Sequence, residues 1–367
     1  MKFIIIIFLI NFLFSLPRFT VEEGISCMSC HVNPTGGGMR NDYGTNIYNL
    51  DELTIRKWIS DSDEDWDGYI SDQIQIGGEF RIQSFDGNVS SGTFPMQAEI
   101  YTKVDINKNT DFYLEYSMGV SNLYEYFLLF DKLPNNSWLK IGQSSPSYGL
   151  MIDDHTSFIK SGNRNPLYSD FPELDRGLRD LFNPMDKKPL LIEGGTKFFN
   201  SFYITYSLFQ PLTYGYQNDL SSYSWTINYM KSFGEISTMS GMSLLTDADI
   251  TLNSFFGGVS FKKLTLTFEA DYAKNLFELD PDYFEKSFAS YAQVVFKPIQ
   301  GLHLIAKYDY FDPVYDLNTG SISRYSYGFE IYPLNMLEIK LQIRDYEVDN
   351  LDLEFNNEYL MQVHTWF

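Results

Sequence analysis

From residue 72 to the end at Phe367 the chain divides into short segments in which apolar and polar residues alternate, and this period of two limits the fold more than any other feature. Successive side chains of a strand point to opposite sides, so each segment has one apolar and one polar face. The segments are 72–85, 94–106, 111–119, 123–131, 138–143, 190–198, 202–210, 223–232, 235–244, 250–261, 264–274, 287–297, 302–311, 322–332, 337–347 and 352–367. Each is near the length a tilted strand needs to cross a bilayer, and the count of about sixteen is even, as in bacterial barrels. Aromatic residues make up 17% of the chain, with 31 Phe and 27 Tyr, as expected of a barrel with aromatic girdles at both interfaces. The expected fold is therefore all-β: a transmembrane antiparallel β-barrel. A soluble β-sandwich and a propeller are the alternatives.

The connections follow the same plan. Short links at 107–110, 199–201, 233–234, 262–263, 298–301 and 333–336 alternate mostly with longer polar ones, and short turns belong to the periplasmic side of such barrels. Tyr359, Met361, Val363, Thr365 and Phe367 alternate up to an aromatic last residue, a pattern that resembles the terminal insertion signal of bacterial outer-membrane barrels. One link departs from the plan. Residues 144–189 form a connection long enough to serve as a functional loop folded inward as a constriction, with a short helix expected at 172–182. Its charges, Asp153, Asp154, His155, Lys160, Arg164, Arg176 and Arg179, suit a pore eyelet, although an exposed loop could carry them equally well.

At the other end, Lys2 precedes an apolar run from Phe3 to Phe14 and the small Ser15, which reads as a secretory signal peptide over 1–16. Residues 17–70 then hold Cys27, Cys30 and His31 in the run CMSCH, and these are the only two cysteines of the chain. Two cysteines at this spacing followed by histidine form the attachment signature of c-type haem: both thiols form thioethers and the imidazole is the proximal iron ligand. A local disulfide, a zinc site or a thioredoxin-like motif are the competing readings. The segment is too short to wrap a haem alone, so it is expected to act as a small plug, with residues 27–41 inside or against the lumen. Pro34 and Gly36 to Gly38 would let the backbone turn tightly against the porphyrin. A short helix is expected around 51–59.

The second iron ligand has few candidates. The chain has four histidines, and the alternation turns His303 and His364 toward the lumen, whereas His155 reaches it through the long loop. The expected order is His155, His364, His303, with Met39 last, and a five-coordinate iron is the remaining option. Asp63, Asp65, Asp67 and Asp72 reproduce the first part of a calcium loop, but its twelfth position is Ile74, so an acidic linker is the alternative. The net charge of −21 excludes nucleic acid as a partner and favours cations, which an acidic lumen or mouth would concentrate.

A signal peptide, one CxxCH at Cys27 to His31 and alternating strands ending in Phe367 together resemble the fused monohaem cytochrome-porins of the bacterial outer membrane, some of which are implicated in oxidising ferrous iron at the cell surface. The barrel half is also similar to general porins without haem. The first resemblance implies electron transfer through one lumenal haem, with an extracellular metal-ion donor or acceptor outside, a periplasmic c-type cytochrome or other carrier inside, and outer-membrane lipid around the barrel. A diffusion porin whose haem-bearing segment is a plug or sensor, and a haem enzyme acting on a small ligand, are the alternatives from other classes.

Overall fold

The computed structural model describes residues 18–55, 68–87, 91–118, 124–152, 154–162, 177–183, 187–199, 201–212, 219–276, 286–315, 320–349 and 358–367. Seventeen strands form one antiparallel sheet. They are β1 (Tyr69–Ser71), β2 (Ile74–Asp86), β3 (Ser91–Asn107), β4 (Thr110–Ser117), β5 (Tyr124–Leu133), β6 (Ser137–Gln143), β7 (Leu190–Phe198), β8 (Phe202–Phe209) and β9 (Ser222–Phe233). The second half comprises β10 (Ile236–Asp247), β11 (Ile250–Phe261), β12 (Leu264–Lys274), β13 (Lys286–Ile299), β14 (Leu302–Asp312), β15 (Ile322–Leu334), β16 (Leu337–Val348) and β17 (Glu358–Trp366). Strands β2 to β17 are the sixteen of a closed barrel, and β1 is a short extra strand on β2. The last strand meets the first, from Tyr359↔Asp86 to Trp366↔Glu79, so no long edge is left unpaired.

Alternation decides which face goes where. On β16, Glu338, Lys340, Gln342, Arg344 and Tyr346 are buried toward the lumen, while Leu341 and Ile343 face outward. The outward set continues around the barrel with Leu128, Ile141, Ile192, Tyr206, Phe255, Leu266 and Val294. In a bilayer this apolar surface is covered by lipid chains, and every backbone polar group of the spanning segment is paired within the ring.

The seven connections on one rim, from β3–β4 through β15–β16, are all tight. Several use left-handed residues, such as Lys262 (φ 55°), Gly301 (φ 75°) and Met336 (φ 63°). The opposite rim carries the longer connections, apart from β2–β3 at 87–90 and β10–β11, which turns at Ala248–Asp249 because β10 runs to Asp247, further than the 235–244 the sequence pattern suggests. The N-terminal segment therefore approaches β2 from the tight-turn rim.

Residues 18–55 lie within the lumen. Helix α1 (Arg18–Glu23) packs on β10, β11 and β12, with Val21 fully buried against Met230 and Met239. Gly258 makes room for it: a Cβ there would stand 2.7 Å from a Val21 methyl. Arg18 pairs with Glu330 and donates to the Tyr332 hydroxyl at 2.7 Å, and Glu22 pairs with Lys297. The chain then crosses to the β2–β6 wall, where Val32 and Met39 pack with Tyr101, Tyr113, Phe127, Leu129 and Trp138.

Helix α2 (Tyr43–Leu53), wound with π-type bonds, brings the segment back. It meets the helix expected at 51–59 only over 51–53, and residues 56–59 lie outside the described residues; just ahead of it the Asn41 side-chain oxygen accepts from the Gly44 N–H at 3.1 Å. The arm ends with the Ile55 N–H on the Tyr332 carbonyl at 3.0 Å and the Gln300 amide on the Thr54 carbonyl at 2.7 Å.

The long connection also folds inward. Leu150, Phe158, Ile159, Leu178 and Phe182 form a cluster with lumenal Leu191, Phe209, Leu252, Phe256 and Phe311. Within it, helix α3 (Leu178–Phe182) occupies the end of the stretch expected to be helical. Replacement of Gly258 by Val is expected to unseat α1 and expose Arg40 to trypsin in the folded barrel; unchanged resistance to cleavage would show that the segment is not held on β11.

Candidate functional site: the lumenal chamber at Cys27, Cys30 and His31

Residues Cys27–Ser29 form a single 3-10 turn. The Cys30 N–H and the His31 N–H both donate to the Cys27 carbonyl, at 3.0 and 2.9 Å. Positions i, i+3 and i+4 of a helical turn share a face, so both thiols and the imidazole start from the same side. The two thiols are not bonded to each other. Burial, reinforced by the neighbouring Cys30, pushes the Cys27 thiol up to about 12. Burial also raises Cys30 to about 11, against the pull of Arg40. Neutral thiols are poor at exchange, which argues against the thioredoxin-like reading of the motif.

His31 contacts the Gly38 carbonyl through Nδ1 at 3.3 Å. With Nδ1 donating, the lone pair sits on Nε2, the arrangement that iron-ligating imidazoles use. The loop that makes this possible returns sharply: His31 and Arg40 pair across it, the Val32 N–H donates to the Met39 carbonyl at 3.0 Å, and Gly36, Gly37 and Gly38 all take positive φ. Gly36 has a second reason to be glycine. A Cβ there would lie 2.9 Å from the Cys27 sulfur, so the backbone passes over the thiol where no other residue fits.

The turn opens on a lumenal chamber of about 1460 Å³, lined among others by Cys27, His31, Glu115, Met151 and His155. This exceeds the 300–1,000 Å³ of an ordinary ligand pocket. Phe85 and Thr93, at the long-loop ends of β2 and β3, line it at one end, and Asn136 and Thr196, next to tight turns, line it at the other. Its walls carry both signs rather than a uniformly acidic lining. Glu79, Glu99, Glu115 and Glu125 stand on β2 to β5, Lys307 and Lys340 stand on β14 and β16 beside Glu330 and Glu338, and Lys160 and Arg179 come from the inward loop.

The other singled-out residues lie at different distances from this chemistry. His155 lines the chamber, in a turn held by Asp154 to Lys307 at 2.9 Å and by Thr156 to Arg344 at 2.7 Å. His364 faces the lumen with both ring nitrogens engaged, Nε2 on Glu79 at 2.8 Å and Nδ1 on Glu338 at 2.9 Å. His303 is fully buried in the wall between the rings of Phe19 and Tyr332. Met39 is buried in the cluster on the β2–β6 wall. Asp72 occupies the exposed turn between β1 and β2; Asp63, Asp65 and Asp67 lie outside the described residues, as do Asp153, Arg164 and Arg176. Among the described residues no group of three His, Cys, Asp or Glu is placed to hold a metal ion.

Sequence reasoning misses the group that joins the pieces. Lys140 is fully buried, with its ammonium 2.7 Å from Glu193, 3.0 Å from the Ser144 hydroxyl and 3.2 Å from the Asn33 side-chain oxygen. Glu125 accepts from Ser144 at 2.7 Å and from the Asn33 amide at 3.3 Å. Barrel wall, loop root and N-terminal segment thus share one ionic node. Alternation places Lys140 with Trp138 on the lumenal face, but its partners are contributed by segments far away in the chain. Lys140→Ala leaves Glu193 buried without its counter-ion and is expected to cost about 3–5 kcal/mol of stability, read as a lower urea midpoint of the folded barrel. A midpoint equal to that of the parent would show the node to be incidental.

No family model matches the chain, and no curated protein matches it. Solved structures do. The loop L8 deletion mutant of OmpT, an outer-membrane protein of Vibrio cholerae, aligns with a TM-score of 0.52 at 12% identity over 80% of this chain and 99% of its own. A porin refined at 1.8 Å resolution aligns with a TM-score of 0.53 at 11% identity over 80% and 100%. Salmonella typhi OmpF in complex with daunomycin aligns with a TM-score of 0.54 at 12% identity over 80% and 97%. At such identities the likeness concerns the fold alone: a porin-type β-barrel.

Proposed function

We propose that this chain is a porin-type channel whose passage runs beside one c-type haem carried on the lumenal N-terminal segment. The observation that carries the channel reading is the single chamber reaching from the long-loop ends of β2 and β3 to the tight turns at Asn136 and Thr196, past His31. Solutes entering it meet carboxylates on β2–β5 and, on the β14–β16 side, the ion pairs of Lys307 with Asp154 and Asp309 and of Lys340 with Glu330 and Glu338, so the charge they meet differs from one side of the passage to the other.

The haem reading rests on the fit of the chain's own residues. Cys27 and Cys30 would hold the porphyrin through thioethers, and His31 would hold the iron through Nε2 with Nδ1 tied to Gly38. Gly36 lets the backbone pass directly over Cys27, where any side chain would meet the sulfur. Arg40, opposite His31 and stacked 4.6 Å from the Trp366 ring, adds a fixed positive charge beside the turn. Once bound, such a group supplies a one-electron couple whose potential follows from its ligands and burial.

A second reading is favoured by the place of the Cys27–His31 turn in a chamber that reaches toward both rims. It is electron transfer between an extracellular metal-ion donor, such as ferrous iron, and a periplasmic c-type cytochrome. Purified protein in planar bilayers and liposomes separates the two. Covalent haem retained after denaturation, lost in Cys27→Ala/Cys30→Ala, together with steady ion conductance, supports the channel reading. Haem reduced by external ferrous iron in a non-conducting protein would replace it with the second, and protein without covalent haem would overturn the haem in both.

A further inference from the structure

Resting on the haem-bearing reading, we propose that Met151, carried by the inward loop, supplies the second axial ligand of the iron. Of the loop residues lining the chamber, Met151 makes the defined approach to the motif. Its Cβ lies 3.9 Å, and the Cys27 sulfur 2.9 Å, from the point where a Gly36 Cβ would stand, and its terminal methyl lies 3.4 Å from the corresponding point at Gly37. The thioether side chain thus reaches the edge of the motif from a separate element.

The backbone on either side of Met151 is held firmly. The Gly149 N–H donates to Ser243 at 3.0 Å, the Leu150 N–H to Glu269 at 2.8 Å, and the Leu150 carbonyl accepts from Arg179 at 2.7 Å. After it, the Ile152 carbonyl accepts from Lys160 at 3.0 Å. Leu150 is fully buried, yet Met151 between these anchors is 36% exposed, toward the chamber. A fixed backbone carrying an exposed, unbranched thioether is what a ligand from a loop requires: the root is set and the side chain has three rotatable bonds with which to reach the metal.

The remaining donors are placed less well. His364 has both nitrogens on carboxylates, and His303 is sealed between Phe19 and Tyr332. Met28 and Met39 pack against the β2–β6 wall cluster. His155 lines the chamber as well, but its turn is anchored on β14 and β16 through Lys307 and Arg344, whereas Val32 and Met39 beside the motif pack on β3 to β6. A Met/His pair also raises the reduction potential relative to bis-imidazole ligation.

Absorption spectroscopy of the full haem-loaded protein tests the assignment with variants Met151→Leu and His155→Ala. Met151→Leu keeps the side-chain volume and removes the sulfur. The parent is expected to be low-spin with the long-wavelength sulfur-to-iron charge-transfer band of the ferric state. Met151→Leu is expected to lose that band, become high-spin, take up added imidazole more tightly and show a lowered midpoint potential, whereas His155→Ala leaves band and potential in place. Covalent haem with a spectrum unmoved by Met151→Leu overturns Met151 as ligand and leaves the haem reading standing, as does loss of the low-spin spectrum in His155→Ala alone. Protein that carries no covalent haem overturns the inference together with the reading on which it rests.

Discussion

The ammonium of Lys140 lies in a fully buried position on β6, and the arrangement inside the barrel depends on how that charge is met. An unpaired ion there would cost several kcal/mol, so its partners have to arrive together: Glu193 from β7, Ser144 from the loop root and Asn33 from the N-terminal segment. A face of the Phe127 ring closes the site at 5.2 Å. A second node works in the same way higher in the loop, where Arg179 reaches Glu269 at 2.6 Å and Asp271 at 3.2 Å. A third joins Asp154, Lys307, Asp309 and Arg324. The lumenal face of the barrel is polar because its charges serve as the sockets for two inserts, one from each side.

The inserts meet where the chemistry lies. The N-terminal segment places Cys27, Cys30 and His31 on one turn and passes its glycines over the thiol, and the inward loop brings Met151 to those same glycines. Neither insert is large enough to surround a porphyrin, but together with the wall they enclose a chamber of about 1460 Å³. On the haem reading proposed above, what a free cytochrome would achieve with its own core would be distributed over a barrel, a plug and a loop.

Much of this was legible in the sequence. Period-two alternation fixes strand identity and the inward or outward sense of residues such as Arg344 and Leu341 because one face meets lipid and the other does not. The tight turns set the direction, and Cys27 to His31 stand out because their spacing matches the attachment signature of c-type haem. Less legible were contacts between segments remote in sequence. Alternation turns His364 toward the lumen but cannot reveal that Glu79 and Glu338 occupy both of its nitrogens. Met151 carries no motif; its approach to Gly36 and Gly37 comes from loop geometry. The helix at Tyr43–Leu53 has little apolar spacing to announce it, and the Asn41 side chain that meets its first turn carries no signal of its own.

The central claim is that residues 18–55 occupy the lumen and narrow the passage. Single-channel conductance of the full chain, compared with that of a barrel from which those residues have been deleted, tests it directly. A clear rise in conductance on deletion is the predicted result, since Val21, Met39 and Ile55 would no longer fill the space beside β11, β3 and β15. An inserted, folded barrel whose conductance stays the same without the segment would contradict the account.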